Sequence, residues 1–273
     1  MDSQSKVVFG KSLAQRARIN ILTMTHSAQV SHVGSALSVV DILAAIYSRS
    51  SAPTPETVSS PTREIVILSK GHAAAALYSI LSELGFFPSA WLETYSGDSA
   101  YLGGHVTSKN VPGVELSTGS LGHGLPYGVG IAISRKQSDI ESPVIIVISD
   151  GECNEGTTWE SALIANRFKL KNLIVIIDRN RIQSLDFTEN TMPLEPLGDK
   201  WRSFGWDVSE VDGHSIEEIQ SAISMRQTCK VIIANTTKGK GVAFMENSVK
   251  WHYKSPDDSE LEIAINEVKR NLT

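Results

Sequence analysis

Asp150 and Asn180 each close an apolar run, VIIVIS at 144–149 and LIVIID at 173–178, with a helical stretch between the two runs. Continuous rather than alternating hydrophobicity reads as strands covered on both faces, as in a parallel sheet. A strand–helix–strand crossover lays its strands side by side with their carboxyl ends together, so an anionic and a neutral oxygen donor arrive at neighbouring tips. Hard oxygen donors so placed suit Mg2+, or Ca2+ or Mn2+, whose remaining ligands would be a main-chain carbonyl, water and phosphate oxygens. That metal needs a polyphosphate. Gly151 would let the backbone approach a diphosphate closely, and the helix after Gly156 would turn free N–H groups toward the same anion.

A third strand end carries chemistry, and the end that holds Asn180 carries more. SKGHAAAA (69–76) sets Lys70, Gly71 and His72 at a helix start, and DRNRIQS (178–184) follows the run that leads to Asn180. Taken singly, each also fits an ordinary helix cap. Glu155, the last carboxylate of DGECNEG, fits a first-turn acid that complements a helix dipole. Imidazole can both give and take protons near neutral pH, so each of the seven histidines is a candidate for proton transfer. Any one of them alone is as readily a packed or solvent-facing side chain. His26 lies on a helical pattern with no chemical claim, and His214, in DGHS, belongs to a turn before a helix.

The elements that must position these groups alternate. Strand-like runs lie at 64–69, 144–149, 173–178, 206–211 and 230–235, and helical patterns at about 10–25, 38–48, 71–84, 121–137, 156–170, 215–226 and from 257 to the end. The expected architecture is one layered α/β domain over 1–273, a mostly parallel central sheet with helices on both faces. The Ser-, Thr- and Pro-rich stretch 48–62 reads as a surface loop. A chain of 273 residues that is 41% hydrophobic can bury a substantial core. The formal charge of −5, with scattered basic residues, argues against nucleic acid or an anionic membrane as partner. There is no apolar stretch of membrane-spanning length and no secretory leader, so the expected location is cytoplasmic. Cys153 and Cys229 are too few and too far apart for a disulfide framework or a CxxC site.

The span from Asp150 to Asn180 resembles the thiamine diphosphate motif, which opens with GDG and closes with N, except that Ser149 replaces the first glycine. That match names a cofactor rather than a reaction. The rest of the chain resembles the transketolase family: SHVGSALSVVDIL (31–43), SKGHAAAALYSIL (69–81), LGGHVTSKNVPGVELSTGSLGHGLPYGVGIA (102–132) and TTKGKGVAFMENSVKWH (236–252) follow in the family's order and, with the blocks between them, cover nearly the whole chain.

The resemblance implies that Asp150, Asn180 and the carbonyl of Ile182 hold Mg2+. Gly119, Leu121, Gly151 and Lys238 would lie along the diphosphate, and Ser35, His72, Gln183 and His252 would touch thiamine diphosphate, with Ser184 an alternative to Gln183. His32, His72, His105 and His252 would surround the reacting carbon and the sugar oxygens. Glu155 would belong with the cofactor-binding residues, in a carboxylate network that links the two cofactor sites at a subunit contact. His123 stands where most relatives carry glutamine, either a tolerated polar exchange or a change of donor chemistry. The family's pyrimidine-binding domain, with its catalytic glutamate, is absent from this chain. The resemblance therefore implies the amino-terminal subunit of a split transketolase, completed by a separate subunit in a heterotetramer with two copies of each chain. Such an enzyme transfers a two-carbon ketol unit from a ketose, as sugar or sugar phosphate, to an aldehyde. An alpha subunit of a 2-oxo acid dehydrogenase would share the Asp150–Asn180 motif but not the 31–43 and 102–132 blocks. A synthase joining pyruvate to a sugar phosphate, or a non-catalytic cofactor-binding subunit, would share more.

Overall fold

The computed structural model describes residues 2–224 and 228–270. Five strands, β1 (Ile65–Leu68), β2 (Val144–Ser149), β3 (Leu173–Arg179), β4 (Asp207–Asp212) and β5 (Lys230–Asn235), form one sheet in the order β1-β2-β3-β5-β4. Every pairing is parallel, with Val144 opposite Leu173 and Ser149 opposite Asp178, so all strand carboxyl ends share one edge.

Side chains alternate between two buried faces along the central strands. Ile145, Val147, Ile174, Ile176 and Ile232 pack into one core, while Ile146, Ile148, Val175, Ile177 and Ile233 pack into a second on the opposite face. Side chains of period two with both faces apolar require helices on both sides, which is the layered architecture the sequence implies. The edge strand β4 departs from it. Its residues are only partly buried or exposed, because WDVSEV lies at the sheet's border and lacks the continuous apolar run of its neighbours.

The first core holds α1 (Ser3–Ala28), α2 (Val33–Tyr47) and α3 (Ala74–Glu83); α4 (Gly124–Gln137) and α5 (Gly156–Arg167) cover the other face. The short helices α6 (Thr188–Thr191) and α7 (Leu197–Ser203) follow β3, and α8 (Ile216–Ser224) and α9 (Asp258–Arg270) return to the first core. Every residue of α2 is buried. It starts at Val33 rather than at 38, with His32 as its N-cap at φ 78°. The stretch 71–84 opens as a 3-10 turn, Gly71–Ala73, before α3, and α4 begins only at Gly124, which leaves Leu121 outside the helix. The ends of the helical patterns at 225–226 and 271–273 lie outside the described residues. Residues 48–62 form turns and loop as expected. Among the described residues no helix is long and apolar enough to cross a membrane.

Candidate active site

Asp150 and Asn180 follow the paired strands β2 and β3 and are both buried. The Asp150 carboxylate accepts main-chain N–H groups, from Gly151 at 2.7 Å and from Arg181 at 2.5 Å. Burial, with the charge of Asp178 adding to it, pushes Asp150 up to about 6, although those N–H bonds pull the other way. Asn180 donates its amide NH2 to Asp178 Oδ2 at 3.4 Å and accepts the Ile182 N–H at 3.1 Å through Oδ1. The donation fixes which end of the amide is oxygen. The Ile182 carbonyl accepts from Lys238 Nζ at 3.1 Å. One carboxylate, one amide oxygen and one main-chain carbonyl are the all-oxygen set that Mg2+, Ca2+ or Mn2+ takes. The Lys238 ammonium shows that a cation reaches the third of them. A buried carboxylate made costly by desolvation fits a divalent ion, whose charge would hold it ionised.

Behind these groups lies a network that sequence patterns did not disclose. Lys70 Nζ donates to Asp178 Oδ2 at 2.5 Å, and both side chains are wholly buried. Asp178 also accepts Ser38 Oγ at 2.6 Å and the Thr236 hydroxyl. Burial alone would raise the Asp178 carboxyl, but the Lys70 charge and these hydrogen bonds bring it below its ordinary value. Glu152, not Glu155, is the buried second carboxylate of DGECNEG: it accepts the Ser69 hydroxyl and the N–H groups of Gly122 at 2.9 Å and Ser149 at 3.4 Å. It thereby ties together the loops after β1 and β2 and the turn before α4. Glu155 is exposed and is the N-cap of α5, with no side-chain cap bond.

The four candidate histidines converge from four segments. His32 is the hub, its ring centroid 5.2 Å from His72, 5.6 Å from His105 and 5.0 Å from His252. Its N–H donates to the His252 carbonyl at 2.7 Å, which holds the left-handed backbone of a non-glycine residue in place. Gly71 makes the approach of His105 possible. A Cβ there would lie 2.2 Å from the Thr118 carbonyl oxygen, and its own carbonyl accepts the Val106 N–H at 3.0 Å. Burial pushes His32 down to about 4, with the neighbouring His105, Lys238 and Lys70 charges adding to it. Burial and then Lys238 lower His252 to about 3, and burial and then Lys70 lower His72. Lys238, itself brought down to about 7 by burial and Lys70, donates to His252 Nδ1 at 2.8 Å. His32, His72 and His252 are therefore neutral beside the Lys70 and Lys238 charges that help to lower them, a field that favours an anion.

A cavity of about 320 Å3 on the carboxyl edge of the sheet gathers these groups. His32, Ser35, His72 and His105 line it together with Gly119, Leu121, Asp150, Gly151 and Glu155. Asn180, Ile182, Gln183, Lys238 and His252 complete the predicted set, and Ser149, Asn154 and Ser184 join it. Gln183 and Ser184 thus both face inward, and Gln183 Nε2 donates to Asn154 Oδ1 at 2.7 Å. His123 does not line the cavity: it is exposed, with its ring bonded to the Leu121 carbonyl at 3.0 Å. His26 does not line it and is bonded to the Pro256 carbonyl. A larger cleft, of about 1020 Å3, lies beside Glu64 and Pro143 at the amino ends of β1 and β2. Ligands of open parallel sheets sit at the carboxyl edge, so the smaller cavity is the site.

A family model described as transketolase, thiamine diphosphate binding domain, matches residues 10–270. An apulose-4-phosphate transketolase subunit of Actinobacillus succinogenes is 42% identical over 262 residues, which cover 95% of each chain. The 6-deoxy-6-sulfo-D-fructose transketolase subunit SqwG of a Clostridium species is 36% identical over 88% of this chain and 89% of its own. Among solved structures, transketolase from Campylobacter jejuni superposes with a TM-score of 0.88 at 27% identity, over 98% of this chain but 43% of that one.

Proposed function

The chain belongs to the transketolase thiamine diphosphate-binding family, and from that premise we propose that it is the diphosphate-binding subunit of a two-component transketolase. The whole of 1–273 is one such domain, and the assembled enzyme moves a two-carbon ketol unit from a sugar phosphate donor to an aldehyde. The observation that carries this reading is the meeting of Asp150, Asn180 and the Ile182 carbonyl in one cavity with the rings of His32, His72, His105 and His252.

Thiamine diphosphate, when bound, supplies a nucleophilic carbon and an electron sink. Asp150, Asn180 and the Ile182 carbonyl would hold Mg2+, which would neutralise diphosphate charge. Gly119 and Gly151 line the cavity with no side chain to hold an anion off the backbone, Leu121 lines it beside them, and Lys238 brings a positive charge to it. Ser35 and Gln183 line the same cavity and would touch the cofactor. His72 stands by the diphosphate or the reacting carbon, and His32, His105 and His252 give and take the protons of sugar hydroxyl and carbonyl oxygens. An entering anion would raise the depressed imidazoles toward the range where both directions of transfer are open.

The relatives named as transketolase subunits, matched over almost their full length, support a division of the enzyme between two polypeptides. The partner would supply the pyrimidine-binding domain and its glutamate, in a heterotetramer with two copies of each chain, with Glu155 at the contact. Leu185, 77% exposed beside Ser184 of the cavity wall, and Leu163, Ile164 and Phe168 on and just after α5 leave apolar surface for that contact. The substrates in the relatives' names carry a phosphate or sulfonate, which supports an anionic sugar here. The enzyme would work in the cytoplasm. The test is reconstitution: this chain alone should show negligible ketol transfer, and the companion subunit should restore it. Full turnover by the lone chain would refute the division.

A further inference from the structure

His214 looks, from DGHS alone, like a turn residue, and its N–H does close a turn by donating to Asp212 Oδ1 at 2.9 Å. Its ring does something else. The Thr237 main-chain N–H donates to His214 Nε2 at 2.8 Å, while Nδ1 lies 2.6 Å from Asp41 Oδ2. A main-chain N–H can only donate, so Nε2 is the acceptor and Nδ1 carries the proton toward Asp41. Asp41, on the wholly buried α2, is held in turn by Arg18 Nη2 of α1 at 2.5 Å. Arg18 also reaches the Lys240 carbonyl at 3.3 Å. The relay from Arg18 through Asp41 and His214 thus ends on the main chain one residue before Lys238.

Independent geometry brings the two loops together. Gly213 donates its N–H to the Asn235 carbonyl at 2.8 Å, and a Cβ at Gly213 would lie 2.4 Å from Thr236 Cγ2 and 3.0 Å from the Asn235 carbonyl oxygen. Only glycine lets the His214 turn lie against the end of β5. On its far side the same segment is pinned by Thr236 to Asp178, and Gly239 donates to the Gly34 carbonyl at 3.0 Å, at the start of the helix that carries Ser35 and Asp41. From this frame Lys238 Nζ reaches the Ile182 carbonyl and His252 Nδ1.

We infer that His214 is a positioning residue: by accepting the Thr237 N–H it fixes the main chain that aims Lys238 at the diphosphate wall and at His252. The role toward the diphosphate rests on the cofactor-binding reading proposed above; the clamp on Lys238 does not.

The two ends of the ring can be kept separately. A glutamine amide oxygen can reach the place of Nε2, and an asparagine amide nitrogen that of Nδ1. His214→Gln therefore keeps the acceptor for Thr237, and His214→Asn keeps only the donor to Asp41. Each loses one hydrogen bond, so a merely structural role predicts the same behaviour from both. The first readout is the 15N resonance of the His252 ring in the chain without ligand, which reports the bond from Lys238. It should stay at its wild-type position in His214→Gln and move toward the unbonded position in His214→Asn. The second is thiamine diphosphate affinity with Mg2+ in the chain joined to its companion subunit. It should fall by about five- to tenfold in His214→Asn and by less than about twofold in His214→Gln. Equal effects of the two substitutions, or an unmoved His252 resonance in both, would overturn the inference. Absence of cofactor binding by the wild type would instead refute the proposed function, and the His252 resonance would still decide the clamp.

Discussion

Lys70 and Asp178 form an ion pair at 2.5 Å with no exposed surface on either side chain. The pair joins the end of β1 to the end of β3 across β2, the strand that delivers Asp150. Lys70 also donates to the Ser35 carbonyl at 3.3 Å, and Asp178 holds the Asn180 amide, so the pair sets the spacing of groups from three elements around the cavity.

Breaking one side of such a pair leaves an uncompensated buried charge. Lys70→Met should destabilise the chain by about 3–5 kcal/mol, Asp178→Asn by a similar amount, and the double substitution by much less than their sum. Urea denaturation of the four proteins measures the coupling. Additive losses would show that the two charges are satisfied independently.

His252 touches Lys238 and the other imidazoles but stands apart from the Asp150 carboxylate's own hydrogen bonds. His252→Ala in the reconstituted enzyme should leave thiamine diphosphate affinity within about threefold and lower kcat by about 10²-fold or more, the range for losing a proton-handling group. Parallel loss of affinity and turnover would assign His252 to cofactor binding instead.

Asp41 gives the fold an acid-sensitive contact. Burial would raise its carboxyl, but the Arg18 charge and then the His214 hydrogen bond bring it below the ordinary value of 3.8. With the folded value depressed, the unfolded chain binds the proton more readily. The stabilisation is complete above the unfolded value and is lost as pH falls through the folded one. Arg18 from α1 and His214 from the turn before α8 are the charged or titratable groups bonded to it. The stability gap between wild type and Asp41→Asn should stay level from about pH 7 to 5 and narrow below about pH 4. Denaturation across that range checks it; a gap that widens in acid would contradict the depressed carboxyl.

Much of the fold was legible because parallel strands buried on both faces must be written as continuous apolar runs. VIIVIS and LIVIID announce β2 and β3, and their tips announce Asp150 and Asn180. β4 was legible only roughly, since its residues mix polar with apolar and are exposed or only partly buried. The four histidines come from four separate segments and no local spacing joins them; the family resemblance did. What stayed hidden depends on how loops fold back. Glu152 and Glu155 look alike in DGECNEG, and only the 3-10 turn Gly151–Asn154 sends the first inward and leaves the second exposed. Lys70 looks like a surface cap residue until a buried partner on another strand is found for it. His214 reaches Asp41 and Thr237, both remote in sequence.

The central claim is that Asp150 and Asn180, from adjacent strand tips, grip a divalent ion that anchors a diphosphate. Titration of thiamine diphosphate into the chain with its companion subunit, with Mg2+ and then with EDTA, tests it most directly when repeated on Asp150→Ala. Wild type should bind only with Mg2+, and the variant should bind more than about a hundredfold more weakly while remaining folded. Binding that ignores Mg2+, or an Asp150→Ala variant as tight as wild type, would contradict it.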